Sequence, residues 1–274
     1  MNITGDWYRV RHDLEALLNQ LFVLPPDDFV EFDSLLTVDE LDAIGYTRSF
    51  PHLTCLLCSL DSGDLKPFSV GELHLTTTYR PSAVRMGLLP AACYKVYLNL
   101  RNQILPHPRI IGCVAKCFRH EDKPLDSYRG FTFTMKEFVC LGHADDAKRH
   151  IENGTIIIDH LMRVLGIPFT LETASDPFFD MSSSVATLSK AAPTKQEVNF
   201  ENHAVVSLNY HRNYFGKKFD ISIDGDAIHT SCVAFGLERW LAMLQEKFGD
   251  AHLARMQLAK VTVAPLAEVR AASA

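Results

Sequence analysis

The stretch that most restricts what this chain can become runs from Cys117 to Leu141, CFRHEDKPLDSYRGFTFTMKEFVCL. Its charged and aromatic residues recur at a spacing of two, the period at which side chains return to one face of a β-strand. Arg119 and Glu121 share a face on the outgoing strand, and Phe131, Phe133, Met135 and Glu137 share one on the return. Between them, Glu121 to Arg129 is polar and contains Lys123-Pro124 and Asp126-Ser127, a turn composition. The pattern predicts a hairpin that presents a guanidinium, a carboxylate and two aromatic rings together. Such a face suits a nucleotide: the guanidinium for a phosphate, a ring for the base, the carboxylate for an exocyclic amine. Alternating Phe and Met are also compatible with plain core packing, and Arg-x-Glu with a surface ion pair.

The rest of the chain supplies helices and further strands around this hairpin. Residues 7–22 place Leu14, Leu17, Leu18 and Leu21 on one stripe, an amphipathic helix that Pro25-Pro26 stops. A second helix is predicted over Leu35–Ala43, with Thr37 and Glu40 forming a capping box. Residues 45–60 read as strand-rich, and Cys55-x-x-Cys58 within them as half of a zinc ribbon or as inert thiols on a buried strand. No second Cys pair at ribbon spacing accompanies it. Ser69–Leu75 and Thr76–Arg80 read as strand and turn, and Pro81–Pro90 as irregular. A long helix follows the hairpin over Ala144–Leu165, acidic early and basic late as its dipole prefers. After Gly166 come a strand and loop, then a small polar loop over Ser182–Thr194. Two strands, Glu197–Tyr210 and Lys218–Ile223, are expected to join through HRNYFGK. Asp224-Gly225-Asp226 signals a hairpin turn. Ser231–Phe235 continues as strand and Gly236–Phe248 as a helix that buries Leu237, Trp240, Leu241 and Leu244. The tail from Val261 to Ala274 carries no assignable pattern. Consecutive strands joined by hairpins imply an α+β fold: a mostly antiparallel sheet flanked by helices.

Two ordered motifs carry a resemblance. Arg119-x-Glu121, a loop, then Arg129-Gly-Phe131-x-Phe133-x-x-x-Glu137 resembles motif 2 of class II aminoacyl-tRNA synthetases, and Thr230-Ser-Cys-Val-Ala-Phe-Gly-Leu-Glu-Arg-Trp240 resembles their motif 3. The stretch at 45–60 is similar, less closely, to motif 1, which builds the dimer interface. The resemblance implies the class II aminoacyl-tRNA synthetase catalytic fold in a single catalytic domain over residues 1–274. Residues 1–34 would be a helical extension and residues 35–250 the synthetase-like core. It also implies roles in ATP binding. Arg119 would take the α-phosphate and the substrate carboxylate, and Glu121 the adenine amine. Phe131 or Phe133 would stack on adenine, Arg239 would contact the distal phosphates, and Arg129 would help from the loop. Arg119 and Arg239 would be the catalytic pair, with Mg2+ accompanying ATP through a ligand not evident in the sequence.

The amino-acid pocket implied by the resemblance is a metal site. In methanogen-type seryl-tRNA synthetases, zinc ligands lie before motif 2, at the end of its second strand and just before motif 3. Those places hold Cys93, Glu137 and Cys232 here. One Zn2+ per subunit on two thiolates and a carboxylate would leave a position for the substrate's amino group. As isolated residues, Cys93 and Cys232 read more readily as core thiols.

Only about forty residues precede the motif 1 region, they show no sustained heptads, and nothing sizeable follows motif 3. The chain therefore resembles the amino acid:[carrier protein] ligases, stand-alone homologues of that synthetase core. These adenylate a small amino acid, typically glycine or alanine, and pass it to the phosphopantetheine thiol of a holo carrier protein. A minimal seryl-tRNA synthetase-like enzyme and a non-catalytic paralogue that binds amino acid or nucleotide are the competing readings. A net charge of −6 counts against tRNA as a partner. No apolar run long enough for a membrane span and no signal peptide are evident, and seven cysteines without scaffold density suit a reducing cytoplasm. A homodimer is expected from the fold. Lys148-Arg149 and Arg212, Lys217 and Lys218 are candidates for receiving an acidic carrier, or simply solvated basic faces.

Overall fold

A computed structural model describes residues 3–73, 86–122 and 124–262, leaving aside the side chains of residues 184, 185, 188 and 189. Helix α1 (Asp6–Phe22) is followed by strands β1 (Phe29–Glu31) and β2 (Leu35–Thr37), and by helices α2 (Val38–Ile44) and α3 (Tyr46–Ser49). Strand β3 (Leu56–Leu57), helix α4 (Leu65–Ser69), strand β4 (Met86–Leu88) and helix α5 (Cys93–Asn99) lead to the long hairpin, β5 (Arg109–Phe118) and β6 (Thr132–Gly142). Then come α6 (Ala144–Leu165), β7 (Thr170–Ala174), α7 (Ser184–Ala191), β8 (Lys195–Phe200), β9 (His203–Arg212) and α8 (Tyr214–Phe219). Short strands β10 (Ser222–Ile223) and β11 (Asp226–Ala227) precede β12 (His229–Gly236), α9 (Leu237–Phe248) and α10 (Ala251–Leu258).

The predicted hairpin is the centre of a seven-stranded sheet ordered β1-β5-β6-β12-β9-β8-β7. Every pairing in it is antiparallel except β1 with β5. This is the mostly antiparallel α+β sheet the strand pattern predicts. Its two faces are sorted by the strand period of two. On β6 and β12, Phe138, Val233 and Phe235 turn to one face, where they pack with residues of α1, α6, α9 and α10 in one core. Val139, Leu141 and Cys232 turn to the other, where α2, α5 and α8 cover them. Glu137 also takes this second face, because it pairs across the ladder with Cys113 and Ala234, both of which line it.

Several local readings hold for the reasons given. Thr37 caps α2: its hydroxyl accepts from the Glu40 amide at 3.1 Å, and Glu40 returns the bond to the Thr37 amide at 2.7 Å. Asp224 and Gly225, at φ 52° and 88°, make the tight turn between β10 and β11, a conformation that favours glycine at the second place.

Others are corrected. Residues 45–60 are not strand-rich. They form α3, a 3-10 turn over Pro51–Leu53 and only the two-residue β3, because Pro51 removes a ladder donor. Strand β3 is the edge of a small sheet with β4 and β2; Cys58 is exposed and Cys55 half-buried, not buried thiols. The strand expected to begin at Ser69 is absent, and Leu65–Ser69 is helix α4. Residues 74–85 lie outside the described residues, as does the tail beyond Thr262; the described end of the stretch read as irregular, Pro81–Pro90, forms strand β4, which pairs with β2 and β3. The polar loop over Ser182–Thr194 contains helix α7, whose first turn is capped by the Ser183 hydroxyl accepting from the Ala186 amide at 3.3 Å. The strand expected over Glu197–Tyr210 is two, β8 and β9, turning at Glu201-Asn202. The connection HRNYFGK is largely helix α8, with Phe215 and Phe219 four residues apart and buried on the second face. No helix among the described residues is long and apolar enough to cross a membrane.

Candidate active site

A cavity of about 390 Å³ opens over the second face of the sheet. Its floor is β6, β12, β9 and β8; its walls are the N-terminal ends of α5 and α9, helix α8, the segment from Arg119 to the hairpin loop, and the segments around Tyr46 and Phe178. At one end lie Cys93, Glu137 and Cys232, all buried, with one ligand atom from each within 4.8 Å of the others. Three remote stretches meet here for local reasons. Glu137 and Cys232 sit on adjacent strands with register Cys232↔Val139 and Ala234↔Glu137, which sets them diagonally on one face. Cys93 begins α5, and this end is tied down by Glu137 itself: Glu137 Oε1 accepts from the amides of Ala92 at 2.8 Å and Cys93 at 3.1 Å.

The electrostatics of this end favour a cation. Burial, reinforced by Cys232, pushes the Glu137 carboxyl up to about 8. The Cys93 thiol is driven up by its hydrogen bond to Cys232 and by burial, whereas Cys232 is pulled down by that bond and by donors from His211 and Asn209. Cys232 thus favours its thiolate, while burial resists ionisation of Glu137 and Cys93 in the same dry corner. Such an arrangement is costly unless a positive charge joins it. Two thiols and one carboxylate with an open side toward the cavity form a donor set that fits a tetrahedral divalent ion, zinc above all by its sulfur content.

At the other end three guanidiniums converge. Arg119, just after β5, donates from Nε to the Pro90 carbonyl at 3.0 Å and lies over the Phe133 ring at 5.1 Å. Arg239, in the first turn of α9, donates to the carbonyls of Tyr128 at 2.8 Å and Ala204 at 2.7 Å. Arg129 reaches Glu121 at 2.9 Å. Burial, then Arg119 and Arg129, lower the pKa of Arg239: the positive charges feel one another. Like charges held close by backbone carbonyls, and in Arg129 by Glu121, make an arrangement suited to an anion. Phe133 lines the cavity beneath the Arg119 guanidinium, whereas Phe131, 44% exposed and tilted against His120, is not among its lining residues.

Residues that the sequence reading passed over complete the frame. Glu238 accepts from the Thr134 amide at 2.6 Å, the Thr134 hydroxyl at 2.9 Å and the Lys116 ammonium at 2.8 Å. It thereby fixes the start of α9, and so Arg239, to β6. Burial opposes ionisation of Glu238, but Lys116 and Thr134 hold its pKa below the usual value near 4.5. Its contribution is thus complete above that value and fades as pH falls through the depressed one. Replacing Glu238 by alanine is expected to cost about 3 kcal/mol in chemical denaturation at pH 7, with a smaller gap between variant and unmodified chain at acid pH. Lys195 bonds Asp176 and Glu197, each at 2.9 Å, tying the loop after β7 to the cavity rim. Tyr128 clamps the hairpin loop: its ring stacks on His203 at 4.0 Å and its hydroxyl donates to Glu246 at 2.8 Å. Asn209 and His211, two apart on β9, both face Cys232. Their spacing was the available signal. Of the basic candidates, Lys148 and Arg149 are paired with Asp145 and Asp146 on their own helix turn, a solvated face.

Comparison with known proteins places this geometry. No family profile matches the chain. The amino acid–[acyl-carrier-protein] ligase 1 of Bradyrhizobium diazoefficiens is 32% identical over 230 residues, covering 77% of this chain and 68% of that protein. Ligase 2 of the same organism is 30% identical over 234 residues, covering 78% and 68%. Among solved structures, the M. kandleri seryl-tRNA synthetase, crystallised with A. aeolicus tRNASec, superposes with a TM-score of 0.76 at 16% identity over 94% of this chain. The cytoplasmic serine–tRNA ligase of Naegleria fowleri, in complex with AMP, gives 0.66 at 12% identity over 93%. The chain spans 56% and 59% of those two proteins, and the likeness establishes the synthetase catalytic fold.

Proposed function

Because the chain belongs to the amino acid–[acyl-carrier-protein] ligase family, we propose that it activates a small amino acid, glycine or alanine, with ATP and transfers it to the phosphopantetheine thiol of a holo carrier protein. The observation that carries this reading is the cavity itself, with a cation-seeking Cys93-Glu137-Cys232 corner at one end and Arg119, Arg129 and Arg239 at the other. An α-amino acid has an amino group and a carboxylate that such a pair of ends can hold at once.

The substrate carboxylate is already an anion, so activation needs no general base. A carboxylate oxygen attacks the α-phosphorus, the new C–O–P linkage forms, and the α–β bridging bond breaks to release pyrophosphate. Arg119 orients the carboxylate against the α-phosphate and neutralises the charge gathering between them. Arg239 and Arg129 take the distal phosphates. Glu121 keeps its Oε1 for the adenine amine while Oε2 holds Arg129. Phe133, which lines the cavity, supplies the ring for adenine. In the second step the carrier's sulfur attacks the adenylate carbonyl, a thioester forms, AMP leaves, and the thiol proton passes to solvent or to the leaving phosphate. Cys93, Glu137 and Cys232 would hold Zn2+, which supplies a Lewis-acid position for the neutral amino group; Mg2+ arrives with ATP. Residues 35–250 form the catalytic core. The exposed Leu56 and Leu57 on edge strand β3, at 53% and 45%, support a homodimer joined near the small sheet.

The test offers labelled glycine, alanine and serine, with ATP, to holo carrier protein, apo carrier protein and bulk tRNA side by side. Label is expected on the holo carrier alone, released by hydroxylamine as a thioester. Label on tRNA, or none on the holo carrier while pyrophosphate is released, would overturn the transfer step.

A further inference from the structure

The sulfur of Cys232 is approached from the side by two nitrogen donors of β9 that no step above uses. Asn209 Nδ2 lies 3.4 Å from it and His211 Nε2 lies 3.9 Å from it. Asn209 is the ladder partner of Cys232, and His211 is the extra residue where the β9–β12 register shifts, with its ring brought beside the sulfur. The imidazole is not free to drift. Its Nδ1 lies 3.1 Å from the Thr230 hydroxyl and 3.4 Å from the Tyr97 hydroxyl, both of them on buried residues. The Phe215 ring meets it edge-on at 5.0 Å.

We propose that Asn209 and His211 are positioning residues that donate N–H bonds to the thiolate of Cys232 and so set how tightly the Cys93-Glu137-Cys232 corner holds a divalent cation. This rests on the reading of that corner as a metal site. A dication on two thiolates and one carboxylate carries a net charge of −1, and here that charge is buried. A buried anion is stable when its lone pairs receive donors. A metal-bound thiolate has no proton to give, so the imidazole must present Nε2–H toward it. Nδ1 is then the acceptor, and its one lone pair takes the proton of the nearer hydroxyl, that of Thr230. The amide of Asn209 does the same with one N–H of its Nδ2. The two donors fix the direction of the sulfur lone pairs and spread the thiolate charge, which keeps the ligand from being protonated or drawn away.

The experiment measures Zn2+ affinity by competition with a chromophoric chelator, and the sulfur-to-metal charge-transfer band after Co2+ loading. The unmodified chain is compared with Asn209→Ala, His211→Ala, His211→Gln and Cys232→Ser. Each alanine variant is expected to hold Zn2+ about tenfold more weakly and to shift the charge-transfer band to lower energy. His211→Gln, which keeps an N–H donor, is expected to recover part of both. If Cys232→Ser loses the metal while both alanine variants bind it as tightly as the unmodified chain with an unshifted band, the donor role is overturned and the metal site stands. If the unmodified chain itself holds Zn2+ no better than Cys232→Ser, the metal site falls and the donor role with it.

Discussion

Arg119→Ala is expected to reduce amino-acid-dependent ATP–pyrophosphate exchange by about 10³-fold, with the fold intact. The size follows from how the side chain is spent. Its Nε is committed to the Pro90 carbonyl at 3.0 Å and its plane rests on Phe133. Its terminal edge, by contrast, meets only the Met135 sulfur at 3.9 Å among the described residues. A guanidinium braced by its inner nitrogen and by an aromatic face offers its outer fork to the cavity. That fork is the geometry for two oxygens belonging to two different reacting groups. Lysine cannot reproduce it, so Arg119→Lys is expected to lose about 10²-fold. Exchange within threefold of the unmodified chain in Arg119→Ala would remove this residue from the reaction.

Cys232→Ser is expected to strip the cation corner, with metal content falling by at least about 10²-fold in affinity. The kinetic consequence is directional. KM for the amino acid should rise about tenfold or more, while KM for ATP stays nearly unchanged, because the guanidinium cluster lies at the opposite end of the cavity. A rise in both constants together would mean a general collapse of the site instead of the loss of an amino-group anchor. Full metal content in purified Cys232→Ser would take this cysteine out of the ligand set.

The hairpin was legible because its chemistry is written at the strand period, where sequence neighbours two apart become spatial neighbours. Helices α1, α2, α6 and α9 were legible for the same reason at the helical period, with caps such as Thr37-Glu40 marking their starts. The cation corner had no such signature. Cys93, Glu137 and Cys232 are separated by 44 and 95 residues, and only strand register and the docking of α5 bring them together. They were named through the resemblance of flanking motifs, not through spacing. Helix α8 escaped because HRNYFGK is rich in residues of low helix propensity and owes its helix to the burial of Phe215 and Phe219. Glu238 escaped because its partners, Lys116 and Thr134, lie more than a hundred residues away. Phe131 and Phe133 were indistinguishable by alternation; the strand begins at Thr132, so Phe131 falls beyond the sheet and outside the cavity.

The most direct measurement is exchange on metal-free and zinc-restored chain. The protein is stripped with a chelator, shown to retain its circular dichroism, and assayed for glycine- or alanine-dependent ATP–pyrophosphate exchange before and after one equivalent of Zn2+. The expected result is exchange reduced by about 10²-fold or more on stripping, with full recovery at one ion per chain. Undiminished exchange in the metal-free chain would contradict the claim that the two cysteines and the glutamate anchor the amino acid through a cation. So would a zinc-loaded chain that exchanges no pyrophosphate with either amino acid.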